Sequence, residues 1–80
     1  MKENNFEYYY DESIKINKKK YPVDLLEVYE IMDNAYKNND PDKFIAYRDA
    51  VEEGVKAYCG CGVLSESDLN DIRCKLGYFF

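Results

Sequence analysis

The four residues NNDP, Asn38 to Pro41, separate two stretches of helical pattern and decide the fold of this chain. Asp40 is a residue type that caps helix N-termini, and Pro41 suits the first helical position because its missing N–H would have no partner there. Asp42 suits the positive end of the helix dipole. The sequence therefore predicts that one helix ends near Asn38 and that another begins at Pro41.

On both sides of this break, apolar residues recur at steps of three and four, the spacing of one helix face. The first helix is predicted over residues 23–38 and the second over residues 41–59. Gly54 lies on the predicted packing face, and since glycine weakens a helix interior, it indicates a close approach by another element; simple tolerance is the alternative. The predicted stripes are Leu25, Val28, Tyr29, Met32, Ala35 and Tyr36, then Phe44, Tyr47, Val51, Val55 and Tyr58.

The stretch CGCG, Cys59 to Gly62, is either a helix end or a site. Glycine just past a helix adopts the left-handed backbone conformation without a Cβ clash. A zinc site would need a fourth ligand besides Cys59, Cys61 and Cys74, and the spacing matches neither the common zinc knuckles nor a C-x-x-C redox pair. We predict a helix-ending corner with no metal and no cofactor. A Cys-based metal-binding regulatory domain is an alternative function.

A third helix is predicted over residues 66–77, because Ser65 and Asp68 have the spacing of a capping box and an apolar stripe follows them. Cys74 and Tyr78 lie on a different face of this helix. We expect the chain's N-terminal arm to cover that face, since cysteine is usually buried; an exposed partner-binding patch is the alternative. The stripe consists of Leu69, Ile72 and Leu76.

These elements predict an all-α fold, a compact three-helix bundle of antiparallel neighbours over residues 21–80, preceded by an arm of residues 1–20. The arm fits a hairpin, a short helix or a mobile tail, and no Asn-Gly or Asp-Gly turn decides between them. The alternating set is Tyr8, Tyr10, Ile14 and Ile16, with a turn at Asp11 and Glu12; the helical set is Phe6, Tyr9, Tyr10 and Ser13.

Several function classes are disfavoured by composition. The 80 residues include no histidine, the usual general base and commonest metal ligand. Neither a G-x-S-x-G motif nor a glycine-rich phosphate loop is present, so we expect that the protein is not an enzyme. No apolar run approaches the ~18 residues of a membrane span, and no secretory signal is evident. We therefore expect a cytoplasmic protein without a membrane partner.

Charge is distributed unevenly: residues 21–80 carry 12 acidic and 6 basic residues, whereas the arm carries 4 acidic and 5 basic ones. Because an acidic body repels phosphates, direct nucleic-acid binding is disfavoured, and it would depend on Lys18 to Lys20. A row of carboxylates can instead imitate phosphates on a basic protein surface; solvated helix faces are the alternative. The row is Asp24, Glu27, Glu30 and Asp33, with Asp49, Glu52 and Glu53.

The three consecutive tyrosines Tyr8 to Tyr10 cannot all face one way, so at least one should be exposed, as tyrosines of binding surfaces are. In size, acidity and lack of catalytic residues, the chain resembles the small proteins of phages and mobile elements, anti-CRISPR inhibitors among them. We predict a non-catalytic protein-binding module, monomeric or homodimeric, whose sharpest form is an inhibitor of a nucleic-acid-processing enzyme. The predicted partner-binding residues are Tyr8, Tyr9, Tyr10, Glu27, Glu30, Asp33, Cys74 and Tyr78.

Overall fold

Three α-helices make up most of the protein. The computed structural model describes residues 8–78, in which α1 spans Val23–Lys37, α2 spans Pro41–Gly60 and α3 spans Glu66–Leu76. A short 3-10 helix, Lys18–Lys20, precedes them, and residues 8–78 contain no strand. The predicted all-α three-helix bundle is confirmed. The division into an arm of residues 1–20 and a domain of residues 21–80 stays a prediction.

Between α1 and α2, the NNDP residues end one helix and begin the next, as their types predict. The backbone N–H of Asn38 donates to the Asn34 carbonyl, and Asn39 adopts a left-handed conformation with φ of 56°. The Asp40 carboxylate then accepts a hydrogen bond from the Lys43 N–H at 3.3 Å, and Pro41 is the first residue of α2. Asparagine tolerates the left-handed region better than most residues, so the chain reverses without glycine.

The corner between α2 and α3 contains the CGCG stretch. The helix continues to Gly60, Cys61 is its C-cap, and Gly62 has φ of 84°, so the predicted helix-ending corner is confirmed. Ser65 and Asp68 form the predicted capping box, with the Asp68 carboxylate accepting from the Ser65 N–H at 2.9 Å. Over residues 8–78, no group of three or more Cys, Asp or Glu side chains is placed to hold a metal ion.

The three predicted stripes form the core. Phe44 is completely buried, and most of the other stripe residues are buried or half-buried around it. Tyr21 and Leu64, which lie outside the stripes, are also buried. The Tyr21 hydroxyl has no hydrogen-bond partner among the described residues, an arrangement that typically costs about 1–3 kcal/mol. The buried stripe residues are Leu25, Tyr29, Met32, Ala35, Phe44, Val51, Val55, Ile72 and Leu76.

The close approach predicted at Gly54 is confirmed. A Cβ atom built on Gly54 would lie 2.7 Å from Cδ1 of Leu25, which is far inside normal van der Waals contact. Leu25 is itself buried in the core, so its side chain has little room to move away. The glycine therefore allows α1 and α2 to pack closely at this point.

Gly54→Leu is expected to lower the free energy of unfolding by about 1–3 kcal/mol, because overpacking at Leu25 outweighs the better helix propensity of leucine. Urea denaturation followed by circular dichroism measures this change. Gly60→Leu is the matched control, since a Cβ there meets nothing within 4 Å. Equal or higher stability of the Gly54 variant would contradict the close packing of α1 on α2.

The arm differs from both the hairpin and the α-helix that its pattern allowed. The Asp11 N–H donates to the Lys75 carbonyl in the last turn of α3 at 2.9 Å, and the Ile14 N–H donates to the Asp11 carbonyl at 3.3 Å. The arm backbone thus finds partners on α3, whose last carbonyls lack helical donors, instead of on a second strand. The hairpin prediction is wrong, and the only helical turn in the described arm is the 3-10 helix. Phe6, which the helical pattern required, lies outside the described residues.

Candidate functional site

The three consecutive tyrosines of the arm point in different directions. Tyr8 stacks on Phe44 with ring centroids 6.2 Å apart, and Tyr10 meets Phe44 edge to face at 5.5 Å. Tyr10 also packs on Tyr36, with centroids 4.4 Å apart. Tyr9 lies between these two anchored rings and is 49% exposed. The expectation that at least one of the three tyrosines is exposed is confirmed.

Tyr9 is held against the end of α3. Gly77, the C-cap of that helix, has a left-handed φ of 81°. A Cβ atom built on Gly77 would lie 3.0 Å from Cβ, Cγ and Cδ1 of Tyr9. Glycine at this position therefore serves both the helix end and the contact with Tyr9. The contact with Gly77 therefore holds the Cβ end of the Tyr9 side chain, while the residue remains exposed.

Arg48 of α2 lies between the aromatic rings of Tyr8 and Tyr78. Its guanidinium carbon is 5.7 Å from the Tyr8 centroid and 5.2 Å from the Tyr78 centroid, within range of a cation–π interaction. The Tyr78 hydroxyl donates to Asp49; burial, together with this hydrogen bond, raises the pKa of Tyr78 to about 12. The Arg48 Nε is buried and donates to no hydrogen-bond acceptor within residues 8–78. The carboxylate oxygen Oδ1 of Asp49 is 3.9 Å from it, too far for a hydrogen bond. We call Tyr8, Tyr9, Arg48, Gly77 and Tyr78 the Tyr9 surface.

Tyr10 connects the arm to α1 through Asp33. The Tyr10 hydroxyl donates to the Asp33 carboxylate, which also pairs with the Lys37 ammonium at 3.0 Å. Burial and the bond to Asp33 raise the pKa of Tyr10 well above its usual value. Burial acts to raise the pKa of Asp33 as well, but the hydrogen bonds from Tyr10 and Lys37 outweigh it and hold that pKa below its usual value. Asp33 is therefore a structural link to the arm.

Lys75 is buried, at 5% exposure. Its ammonium donates to the carbonyl oxygens of Asp11 at 3.0 Å and Ile14 at 2.8 Å, and lies 4.6 Å from the Tyr10 ring centroid. Burial lowers the pKa of this ammonium group. Its partners are neutral, since no carboxylate oxygen of residues 8–78 lies within 4.0 Å of it.

Most of the predicted acidic row makes contacts within the chain. Five of its seven carboxylates contact other side chains, whereas Glu27 and Glu53 are exposed. The Lys18 to Lys20 run is likewise engaged, because Lys18 pairs with Glu30 and Lys20 pairs with Asp68. The contacts are Asp24 to Tyr58, Glu30 to Lys18, Asp33 to Tyr10 and Lys37, Asp49 to Tyr78, and Glu52 to Arg73.

The expectation that the arm covers Cys74 is wrong, because Cys74 is exposed. The arm instead contacts α3 at Lys75 and at its C-cap Gly77. Tyr78 is half-buried and turned towards Arg48. Cys74 and Tyr78 therefore do not form one exposed patch.

The structure brings Tyr8 and Tyr78 together around Arg48, places Tyr9 against Gly77, and brings Tyr10 to Asp33. Glu27, Glu30 and Cys74 lie apart from these contacts. Arg48 and Lys75 were missed by sequence reasoning, although a signal existed. Arg48 follows Phe44 by four residues and Lys75 follows Ile72 by three, which places each cation on an apolar helix face.

No family model, curated protein or solved structure matches the chain. Among the helices of residues 8–78, none is long and apolar enough to cross a membrane.

Proposed function

We propose that this chain is a non-catalytic protein-binding module that contacts a larger protein through the Tyr9 surface. The observation that carries the proposal is that Tyr9 is exposed while its base is fixed by Gly77 and by its anchored neighbours. A side chain that is ordered before binding loses little conformational entropy in the complex. Tyrosine is also enriched among the residues that dominate binding energy.

The surroundings of Tyr9 support this choice of surface. Arg48 packs between the ring of Tyr8, which precedes Tyr9, and the ring of Tyr78, which follows Gly77. Arginine and tyrosine are enriched at the centres of protein interfaces. The other exposed large hydrophobic residues of the described chain are the aliphatic Val23, Ile31 and Val63. Single exposed aliphatic residues are common on monomeric proteins and need no partner.

The charge of the protein favours a partner with a basic surface. The net charge is −5, and opposite charge on the partner would accelerate association. Enzymes that process nucleic acids carry basic surfaces for the phosphate backbone. Inhibition of such an enzyme, by a small protein of a phage or mobile element, is the specific form of the proposal.

Tyr9→Ala is expected to weaken binding to the partner by about 30-fold, corresponding to ~2 kcal/mol for a truncated tyrosine anchor. The partner is first captured with the wild-type protein as bait from host lysate or phage-infected lysate, and is then purified. Surface plasmon resonance measures association and dissociation rates, and most of the effect should appear as faster dissociation.

Val63→Ala is the matched control, because Val63 is exposed to a similar extent in the corner between α2 and α3. Circular dichroism confirms that both variants remain folded. Wild-type dissociation by the Tyr9 variant, or an equal loss in the Val63 variant, would move the contact away from the Tyr9 surface.

A further inference from the structure

A cleft of about 300 Å³ opens between the arm and α1, with Lys75 of α3 at its border. This volume is at the lower end of the range for small-molecule sites. The cleft lies on the Tyr10 side of the arm and does not include Tyr9. We call it the lysine cleft, and its lining includes Ile14, Lys15, Lys18, Asp33, Lys37 and Lys75.

The lysine cleft has a positive charge in an acidic protein. Four lysines line it, against two acidic residues, Glu12 and Asp33, whereas the whole chain has a net charge of −5. The four lysines come from the arm, α1 and α3, so the concentration of charge is created by the fold. A concave site with one predominant charge attracts ions of the opposite sign.

Two of these lysines form no ion pair within residues 8–78, although the carboxylates of Asp33, Asp11 and Glu12 favour the charged form of Lys75 from beyond 4.0 Å. Lys75 is buried with only neutral partners in contact. Lys15 is exposed and forms no ion pair with any residue in the range 8–78. A buried charge is costly unless an opposite charge compensates it. We infer that the lysine cleft binds a small molecule carrying a phosphate or carboxylate group.

The other two lysines of the cleft can also turn towards such a ligand. Lys18 pairs with Glu30, and both side chains are more than two-fifths exposed. Lys37 pairs with Asp33 and is itself 67% exposed. Exposed ion pairs contribute little net free energy, about 0–1 kcal/mol. A phosphate or carboxylate therefore competes with them at small cost.

The walls of the lysine cleft set the size and character of the rest of the ligand. Ile14, Ile16 and Tyr36 give it apolar surface beside the lysines. Small-molecule sites typically combine such apolar walls with a few polar groups that fix orientation. The ligand class is thus a compact molecule with an apolar or ring-containing body and one anionic oxygen group.

The test uses the full chain at low ionic strength with inorganic phosphate, adenosine monophosphate and benzoate as probes. NMR titration should show saturable shifts of the backbone amides of Lys15, Ile16 and Asp33 with at least one probe, at a Kd below about 1 mM. The Lys75 ammonium should titrate at higher pH in the bound protein, because a nearby anion favours its charged form. Preference for the nucleotide or for benzoate identifies phosphate or carboxylate as the favoured group, and either supports the cleft.

Lys15→Gln combined with Lys18→Gln should weaken probe binding by about fivefold or more. Lys19→Gln combined with Lys56→Gln removes the same charge from exposed positions outside the lining of the cleft, and should leave the affinity near wild type. Failure of all three probes to bind with a Kd below about 1 mM, or equal weakening in both double variants, would overturn the proposal. Neither result depends on Tyr9 or on a protein partner.

Discussion

Phe44→Ala is expected to lower the free energy of unfolding by about 3–5 kcal/mol, the cost typical of truncating a buried phenylalanine. Phe44 is completely buried in the first turns of α2 and contacts the rings of Tyr8, Tyr10 and Tyr36. Its removal leaves a cavity that is bordered by both the helices and the arm. The arm should therefore loosen together with the core.

This loss is large for a protein of this size. A chain of 80 residues has a total stability of only about 4–12 kcal/mol, so the Phe44→Ala variant should be partly unfolded at 37 °C. Urea denaturation at lower temperature measures the change. Phe44→Leu keeps much of the volume and should cost about 1–2 kcal/mol. A loss below ~1 kcal/mol for alanine would show that the ring does not fill the core.

Lys75→Ala is expected to destabilise the protein by about 2–4 kcal/mol, with the arm affected most. The Lys75 ammonium is the donor to the carbonyl oxygens of Asp11 and Ile14, and each acceptor left unsatisfied in a buried position costs about 1–3 kcal/mol. Lys75→Met keeps the aliphatic packing and removes the buried charge. The methionine variant should therefore lose only about half as much.

Hydrogen exchange locates this effect. The Asp11 N–H, which donates to the Lys75 carbonyl, should exchange faster in Lys75→Ala, whereas the amides of Val51 and Val55 in α2 should keep most of their protection. Unchanged protection at Asp11 would mean that the arm is held by its tyrosine rings alone.

The helices could be predicted because their signals are local. Asp40 and Pro41, or Ser65 and Asp68, act on backbone groups within a few positions, and the apolar spacing needs no knowledge of the partner helix. The close approach at Gly54 could also be predicted, although its partner Leu25 could not. These features could therefore be predicted from the neighbouring residues alone.

The conformation of the arm and the composition of the Tyr9 surface depend on residues that are distant in sequence. The sequence pattern therefore could not predict them. The arm pattern fits either a strand or a helix, whereas the arm's observed contacts include Lys75, 64 positions away from Asp11. Hydropathy assigns Lys75 and Arg48 to the surface, although the apolar stems of such residues readily pack in a core. The pattern required at least one exposed tyrosine, but only the structure shows that it is Tyr9, which lies against Gly77.

The distance in sequence between Asp11 and Lys75 has a consequence for the order of folding. The cost of closing a loop rises with its length, and α1 and α2 are joined by only a few residues, so these two helices can pair first and the arm docks last. During synthesis, the arm lacks its contacts with α3 until Lys75 and Gly77 have left the ribosome. A nascent chain that stops before them would leave Phe44 less covered and would lack the contact that fixes Tyr9.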